Sequence, residues 1–589
     1  MTLLFNDPSS FVEEAVEGFV AANRRWVRAV PGGVVRRSLP AEPGVAVVIG
    51  GGSGHYPAFS GLVGVGLARG AVIGNVFASP SADQVYRVAS TCQNGAGVLL
   101  SYGNYAGDVL NFDQAQERLI AEGVPCRTVL VTDDISSAPA AEVHRRRGIA
   151  GDLAVFKIAG AAADSGRSLE VVAELASRAN ERCRSLGVAF RGCTLPGADH
   201  RLFEVPVGRM GVGMGVHGEP GIREDSMPSA AELAHIFVEA LLRERPSSVR
   251  NGSSAKVVVI LNGLGSVKYE ELFVVYRSVA RELGQAGVTV TDAKVGEFVT
   301  SFDMAGASMT LLWLDDELEQ LWDAPADAPA FRHGSSGRQA VTTRATEPEL
   351  TMDPEPEAHP PDASVPPASE ASRGAASFLV DALRSIRQSI DQQADALGRI
   401  DAVAGDGDHG LGMQRGVRAA EAAAENARAK GAGVRTTLLR SADAWSNRGG
   451  GASGALWGAA LRASATHMGD DAGPTPRDVA AAVAAAANAV QASGKAHLGD
   501  KTMLDAMLPF AETLGTAVNE GSSAAEAWKK ACDAAASGAD ATVSMVARIG
   551  RARPHGERSI GTPDPGAASF VIVVRAVVPV LAIKEMPRA

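Results

Sequence analysis

The densest run of chemistry-bearing side chains is Asp401-Ala402-Val403-Ala404-Gly405-Asp406-Gly407-Asp408-His409-Gly410. Its three carboxylates offer hard oxygen ligands, and Mg²⁺ in particular is held by one or two such groups together with the phosphates of a substrate. The glycines between them let the backbone approach a ligand and turn its N–H groups toward an anion. EF-hand spacing fails, because no Glu stands at the twelfth position. The stretch reads either as a solvated acidic turn or as a metal–nucleotide site.

Other candidates are scattered along the chain. His55 ends Gly50-Gly51-Gly52-Ser53-Gly54-His55, directly after the apolar run Val45-Ala46-Val47-Val48-Ile49. A buried strand feeding a glycine-rich loop builds small-ligand sites at the strand's C-terminal end. This one lacks the Walker lysine and dinucleotide spacing, and His55 fits capping or core packing as well as function. Asp108 closes Tyr102-Gly103-Asn104-Tyr105-Ala106-Gly107-Asp108, as an acid or base or as a turn former. His217 lies between glycines in Met210–Gly221, sterically open to a ligand or simply in a polar turn. Gly449-Gly450-Gly451-Ala452-Ser453-Gly454 opens a helix whose free N–H groups and dipole suit phosphate, or whose small residues allow close packing. Two further sets, Gly494…Gly499-Asp500-Lys501-Thr502-Met503 and Gly550-Arg551…Asp564-Pro565-Gly566, complete a nucleotide–Mg²⁺ inventory with Asp401, Asp406 and Asp408.

Two kinds of architecture must position these groups. Apolar runs at Val45–Ile49, Val98–Leu100, Thr128–Thr132 and Ala154–Lys157 alternate with helical patterns, as do those at Val257–Leu261, Val288–Val290 and Met309–Leu314, which predicts two α/β domains over 1–185 and 186–325. Residues 326–372 lose hydrophobic periodicity and carry Pro-Glu and Pro-Pro repeats, the composition of a linker. Residues 373–589 are alanine-rich and amphipathic, so the C-terminal domain is expected to be all helical; Leu379, Leu383, Ile386 and Ile390 mark a helix ending near Ile400, with the acids on its end and the loop beyond. The net charge of −11 argues against nucleic-acid or acidic-membrane binding. Five scattered cysteines (Cys92, Cys126, Cys183, Cys193, Cys532) read as reduced thiols of a cytoplasmic protein. The start lacks a signal peptide's pattern, and runs such as Phe570–Val574 are too short to span a bilayer.

Taken together, Gly50–Pro57, Asn104–Phe112, Val216–Gly221, Gly405–Gly410, Gly449–Leu456, Gly499–Asp505 and Asp564–Ala567 resemble the dihydroxyacetone kinase family, and among its members the ATP-dependent branch that fuses a ketose-binding half to a nucleotide-binding half. The resemblance implies a small ketose and ATP as substrates, two Mg²⁺ ions held by Asp401, Asp406 and Asp408, and a homodimer. It implies that His217 adds covalently to the ketose carbonyl, with His55 and Asp108 flanking the reactive hydroxyl, and that Gly52, Ser53, Gly54, Tyr56 and Gly103 line the ketose. Gly407, His409, Gly410, Ala452, Ser453, Gly494, Met503, Arg551, Asp564, Pro565 and Gly566 fall where the family contacts the nucleotide. The chain departs from the usual pattern: His55-Tyr56-Pro57 replaces His-Glu-Pro, and Gly103 and Ala106 replace the Lys and Thr of Lys-Asn-Tyr-Thr-Gly-Asp. Lost bulk in that loop, with Tyr56 adding a phenol or a packing surface, points to the erythrulose branch; dihydroxyacetone, a non-catalytic regulatory role and cyclisation of FAD are the alternatives.

Overall fold

The computed structural model describes residues 2–40, 42–249, 255–334, 365–405 and 407–585. Asp406 and residues 335–364, the greater part of the linker expected over 326–372, lie outside the described residues. The chain divides into two compact units, Met1–His359 and Pro360–Ala589.

The first unit holds two sheets. One has the order β1 (Val27–Val30), β2 (Gly33–Arg36), β4 (Gly70–Val76), β3 (Ala46–Ser53), β5 (Val98–Gly103), β6 (Cys126–Val131). Its β4-β3-β5-β6 segment is parallel, so all four strands present their C-terminal ends on one side. The other sheet is ordered β11 (Val288–Gly296), β10 (Ala255–Gly263), β12 (Ala305–Trp313), β7 (Cys183–Arg191), β8 (Arg209–Val212), β9 (Arg223–Ser226), and is antiparallel except for the β10–β11 pair. Helices α1 (Phe11–Asn23), α2 (Ala82–Cys92), α3 (Ala106–Ala121), α4 (Gly151–Asp164), α5 (Leu169–Glu181), α6 (Ala230–Arg243), α7 (Tyr269–Gln285) and α8 (Asp316–Asp323) cover them. Folded chain continues past α8 through a short hairpin, Ala326–Asp327 with Arg332–His333, which puts Ala326, Ala328 and Phe331 into the core.

One run predicted as a strand is a helix. Ala154-Val155-Phe156-Lys157 lies inside α4, of which every residue from Gly151 to Ala163 is buried. The helix shares one core with Val47, Ile49 and Leu99 of the first sheet and Val258, Ile260 and Leu312 of the second. Because α4 is covered all round, it shows no polar stripe, and a short apolar run carries no period that separates helix from strand.

In the second unit α9 (Glu370–Asp401), α10 (His409–Ala429), α11 (Val434–Gly449), α12 (Gly451–Ala465), α13 (Pro476–Gly494), α14 (Leu504–Asn519), α15 (Ala524–Ala541) and α16 (Pro565–Glu585) each pack on the next, and α16 returns against α9. The result is a closed ring of helices. Small residues set its tightness: a Cβ at Gly410 would lie 2.0 Å from the Ala394 carbonyl oxygen, so α10 meets α9 backbone to backbone. The reading that the apolar runs are too short to span a membrane is corrected by α16, whose Pro565–Ala582 window is long and apolar enough by length and composition, with mean hydropathy 1.9. Its Ala567, Phe570, Val573, Val574 and Val577 belong to the core of the ring.

Candidate active site

In the first unit, strand β3 delivers Gly52, Ser53 and Gly54 to its C-terminal end, followed by His55. Gly54 has φ +109°, and a Cβ there would lie 2.6–2.7 Å from the rings of Phe77 and Phe302. Gly52 is equally constrained, since its Cβ would lie 2.8 Å from the Ala78 nitrogen. The glycines therefore bring backbone against a wall of aromatic rings. Phe77 stacks on His55 (centroids 5.0 Å, 15°) and stands edge-on to His217 (4.9 Å, 75°), and Tyr105 meets His217 from another side at 5.1 Å.

The two histidines are in direct contact. His55 Nε2 lies 3.0 Å from His217 Nε2. His55 Nδ1 lies 2.7 Å from the Thr300 carbonyl oxygen, which only accepts, so Nδ1 carries a proton. His217 Nδ1 lies 3.1 Å from Glu219 Oε1, and the His217 backbone N–H donates to Glu219 Oε2 at 3.0 Å. Both Nδ1 atoms are thus donors, and the Nε2–Nε2 bond needs one additional proton, shared between the rings beside the Glu219 carboxylate. Burial acts to raise Glu219, but the charge and hydrogen bond of His217, with Arg147, hold it well below the usual carboxylate range. Arg147 is itself buried between Glu219 (3.8 Å) and Asp134 (2.8 Å), and these carboxylates more than reverse the cost of burying its charge.

Glu219 and Arg147 were not among the residues singled out from sequence. An acid two residues beyond an unusually open histidine was a signal available there; Arg147 and Thr300 arrive from distant segments and left none. Gly215 makes room for the pair, since a Cβ there would lie 2.1 Å from Glu219 Oε2.

Asp108 lies buried in the first turn of α3, one turn beyond Tyr105, the N-cap residue. Gly103 ends β5, and a Cβ on it would lie 3.1 Å from the Tyr105 ring and 3.2 Å from the Gly148 carbonyl oxygen. The space next to residue 103 is thus filled by Tyr105, whose hydroxyl donates to that same carbonyl at 3.0 Å. The Tyr56 ring is half exposed and packs edge-on to Phe19, whereas the rings around His217 are Phe77, Tyr105 and His55.

The second unit gathers most of the other candidates at one end of the ring. Asp401 ends α9 and Asp408 caps α10. Gly405 lets the intervening loop fold back, as a Cβ there would lie 2.3 Å from Asp401 Oδ1, and Gly407 has φ +77°. The His409 backbone N–H donates to Asp401 Oδ2 at 3.3 Å; its ring bridges Ser453 Oγ in the first turn of α12 (3.3 Å) and Ser569 Oγ of α16 (2.9 Å). Gly450 and Gly451 both have positive φ at the α11–α12 junction, followed by Ala452. Gly566 lies between Asp564 and Met503, and Pro565 opens α16. Asp505 accepts from the N–H groups of Gly499 and Thr502, shaping the loop that ends at Met503. Gly494 ends α13 beside Leu456, and Arg551 stands on the turn preceding residues 553–559.

The electrostatics of this end favour a divalent cation. Burial, reinforced by Asp401, pushes Asp408 up to about 7. Burial also lifts Asp564 to about 7, with Asp505 and Asp401 adding to the rise. Like charges held together away from water are relieved by a hard cation with oxygen ligands, so these acids fit Mg²⁺. Among the described residues no group of three side chains is arranged to hold a metal; the remaining acid of the motif is Asp406.

The Dak1 domain family matches residues 17–330, and the DAK2 domain family matches 403–579. An L-erythrulose kinase of Pectobacterium atrosepticum is 54% identical over 582 residues, 99% of this chain and 97% of that protein. A D-erythrulose kinase of Mycolicibacterium smegmatis is 49% identical, covering 98% of each. Among solved structures, the dihydroxyacetone kinase of C. freundii in complex with AMP-PNP and Mg²⁺ aligns over 98% of this chain and 99% of that one, with TM-score 0.52 and 27% identity.

Proposed function

This chain belongs to the dihydroxyacetone kinase family, and from that premise we propose that it captures erythrulose through His217 and transfers the γ-phosphoryl group of ATP to a terminal hydroxyl of that ketose. It is an ATP-dependent ketose kinase that works with Mg²⁺. The observation that carries the capture step is the hydrogen bond of Glu219 to His217 Nδ1, which leaves Nε2 as the nucleophilic nitrogen.

In the proposed sequence the ketose enters between the two Nε2 atoms. His217 Nε2 adds to the C2 carbonyl carbon, the C=O π pair moves to oxygen, and the proton shared with His55 neutralises it. The product is a hemiaminal, open to ketones and aldehydes but closed to glycerol-like polyols, which have no carbonyl. Asp108 accepts the proton of the terminal hydroxyl as its oxygen attacks phosphorus, a role typically worth about 10²–10⁴-fold. In the other unit Asp401, Asp406 and Asp408 would hold two Mg²⁺ ions, which neutralise triphosphate charge when bound. The N–H groups at Gly450–Ser453, with His409, Gly566 and Met503, would hold the nucleotide, and Gly407, Gly410, Gly494, Arg551, Asp564 and Pro565 complete that set.

Erythrulose leads for two reasons. Both curated relatives named above act on it, and the loop before Asp108 departs from the usual family residues at Gly103 and Ala106, although Tyr105 and not open space lies beside Gly103. The homodimer and the cytoplasmic location remain parts of the same proposal, as does a linker, shortened from 326–372 because the hairpin ending at His333 and the helix starting at Glu370 are folded at its two ends. Side-by-side kinetics with D-erythrulose, L-erythrulose and dihydroxyacetone, read by ADP release, test it. One enantiomer of erythrulose is expected to give the highest kcat/KM. An advantage of about tenfold or more for dihydroxyacetone, roughly 1.4 kcal/mol, would replace erythrulose with the triose.

A further inference from the structure

Arg415 lies two turns into α10, seven residues beyond Asp408. With Gly412 between them, the three share one face of the helix. That face meets the α11–α12 junction, because a Cβ at Gly412 would lie 3.2 Å from the Gly449 carbonyl oxygen. Long helical side chains lean toward the helix N-terminus, so the guanidinium of Arg415 is directed back toward Asp408. Asp408 is its electrostatic partner.

The charge of Arg415 is poorly compensated. Burial lowers it from the ordinary arginine range, Asp408 opposes this only in part, and Nε has no hydrogen-bond partner among the described residues. Elsewhere around this helix, Arg418 and Arg387 close on Asp391 at 2.9 and 3.2 Å. Arg415 makes no such ion pair among the described residues. A partly buried guanidinium with no matched carboxylate among the described residues is costly, and its planar fork is shaped to hold phosphate oxygens in pairs.

We propose that Arg415 binds the β- and γ-phosphates of ATP and stabilises the phosphoryl group during transfer. The proposal rests on the ketose-kinase reading for the identity of the acceptor. As the bond from the ketose oxygen to Pγ forms, the bond from Pγ to the β–γ bridging oxygen breaks, and its electron pair stays on the β-phosphate of ADP. The proton of the ketose hydroxyl goes to Asp108. Arg415 contributes a fixed positive charge where that negative charge accumulates, and no additional reactant is needed.

Arg415→Met and Arg415→Lys, made in the full chain, test the assignment. For a residue in this role kcat is expected to fall about 10³-fold in Arg415→Met. Affinity for Mg·AMP-PNP should fall at least about tenfold, as for a lost charge-assisted phosphate contact, while affinity for AMP stays as in the unaltered protein. Arg415→Lys should recover much of the AMP-PNP affinity but little of kcat, since a point charge cannot reproduce the fork. A folded Arg415→Met protein with unchanged kcat and AMP-PNP affinity overturns the proposal, as does an equal loss of AMP affinity. If Arg415→Met does not fold, Arg415→Lys decides by the same kcat criterion at unchanged melting temperature. Should the unaltered protein phosphorylate no ketose, the kinase reading fails by itself, and the AMP-PNP and AMP titrations still test Arg415.

Discussion

His217 and His55 oppose each other through their Nε2 atoms, and Glu219 decides what that opposition can do. By accepting from both the Nδ1–H and the backbone N–H of His217, it fixes the ring orientation and balances one positive charge on the pair. Burial alone would raise the Glu219 carboxyl, but the charge and hydrogen bond of His217, with Arg147, hold it well below the usual range, so the anionic form is the one this site favours. Glu219→Gln keeps the size and an accepting oxygen but removes the charge. It is expected to lower kcat/KM for the ketose by about 10²-fold or more, and to weaken loss of the carbonyl signal when C2-labelled ketose is followed by ¹³C NMR. The fold should persist, because Arg147 retains Asp134 at 2.8 Å. Loss of KM alone, with normal carbonyl disappearance, would reduce Glu219 to a packing role. His217, His55 and Asp408 could be picked out as candidates in the sequence because glycines flank them, and Asp406 lies outside the described residues; Thr300, Arg147 and Phe77 could not, since nothing local announces a partner from elsewhere in the chain.

At the level of elements, the exit of β3 shows why the glycine run could be recognised and its geometry could not. The sequence places a loop from Gly50 onward, whereas strand pairing continues through Ser53. Only the fold brings Phe77 and Phe302, both with positive φ, against Gly54. Gly54→Ala should therefore destabilise the first unit by about 1–2 kcal/mol from backbone strain, before any clash, and abolish ketose capture. Gly18→Ala provides the contrast. It lies within α1 with open space where its Cβ would go, and should stabilise by about 0.5–1 kcal/mol. Calorimetry of both variants checks the pair of signs; destabilisation at Gly18, or tolerance at Gly54, would contradict the site geometry. The same limit explains α4: burial on all sides erases the periodicity that identifies a helix, so the central helix of the unit was read as a strand.

On the scale of the whole molecule, two units with separate cores predict separate responses to Mg²⁺. Without metal, Asp408 and Asp564 titrate near 7 in the folded helical unit, above the ordinary carboxylate value of 3.8. A raised carboxyl means that the folded state binds more protons than the unfolded state between those values, so the metal-free helical unit loses stability as pH rises from about 4 to about 7. Mg²⁺ needs the ionised forms. At pH 6 it must displace protons from these acids, while at pH 8 it meets carboxylates already charged and repelling one another. Binding to the folded state alone raises stability by mass action. Calorimetry with and without Mg²⁺ should therefore show an upward shift in the transition of the helical unit that is larger at pH 8 than at pH 6. The α/β unit has buried acids of its own, Asp108, Asp133 and Asp152, but none belongs to the triad assigned to Mg²⁺, so its transition should not move. Asp408→Asn should remove most of the pH 8 shift, because it deletes one of the repelling charges and a ligand together. A Mg²⁺ shift that is equal at both pH values, or that appears in both transitions, would mean that the acids at 401–408 are not where the cation is held.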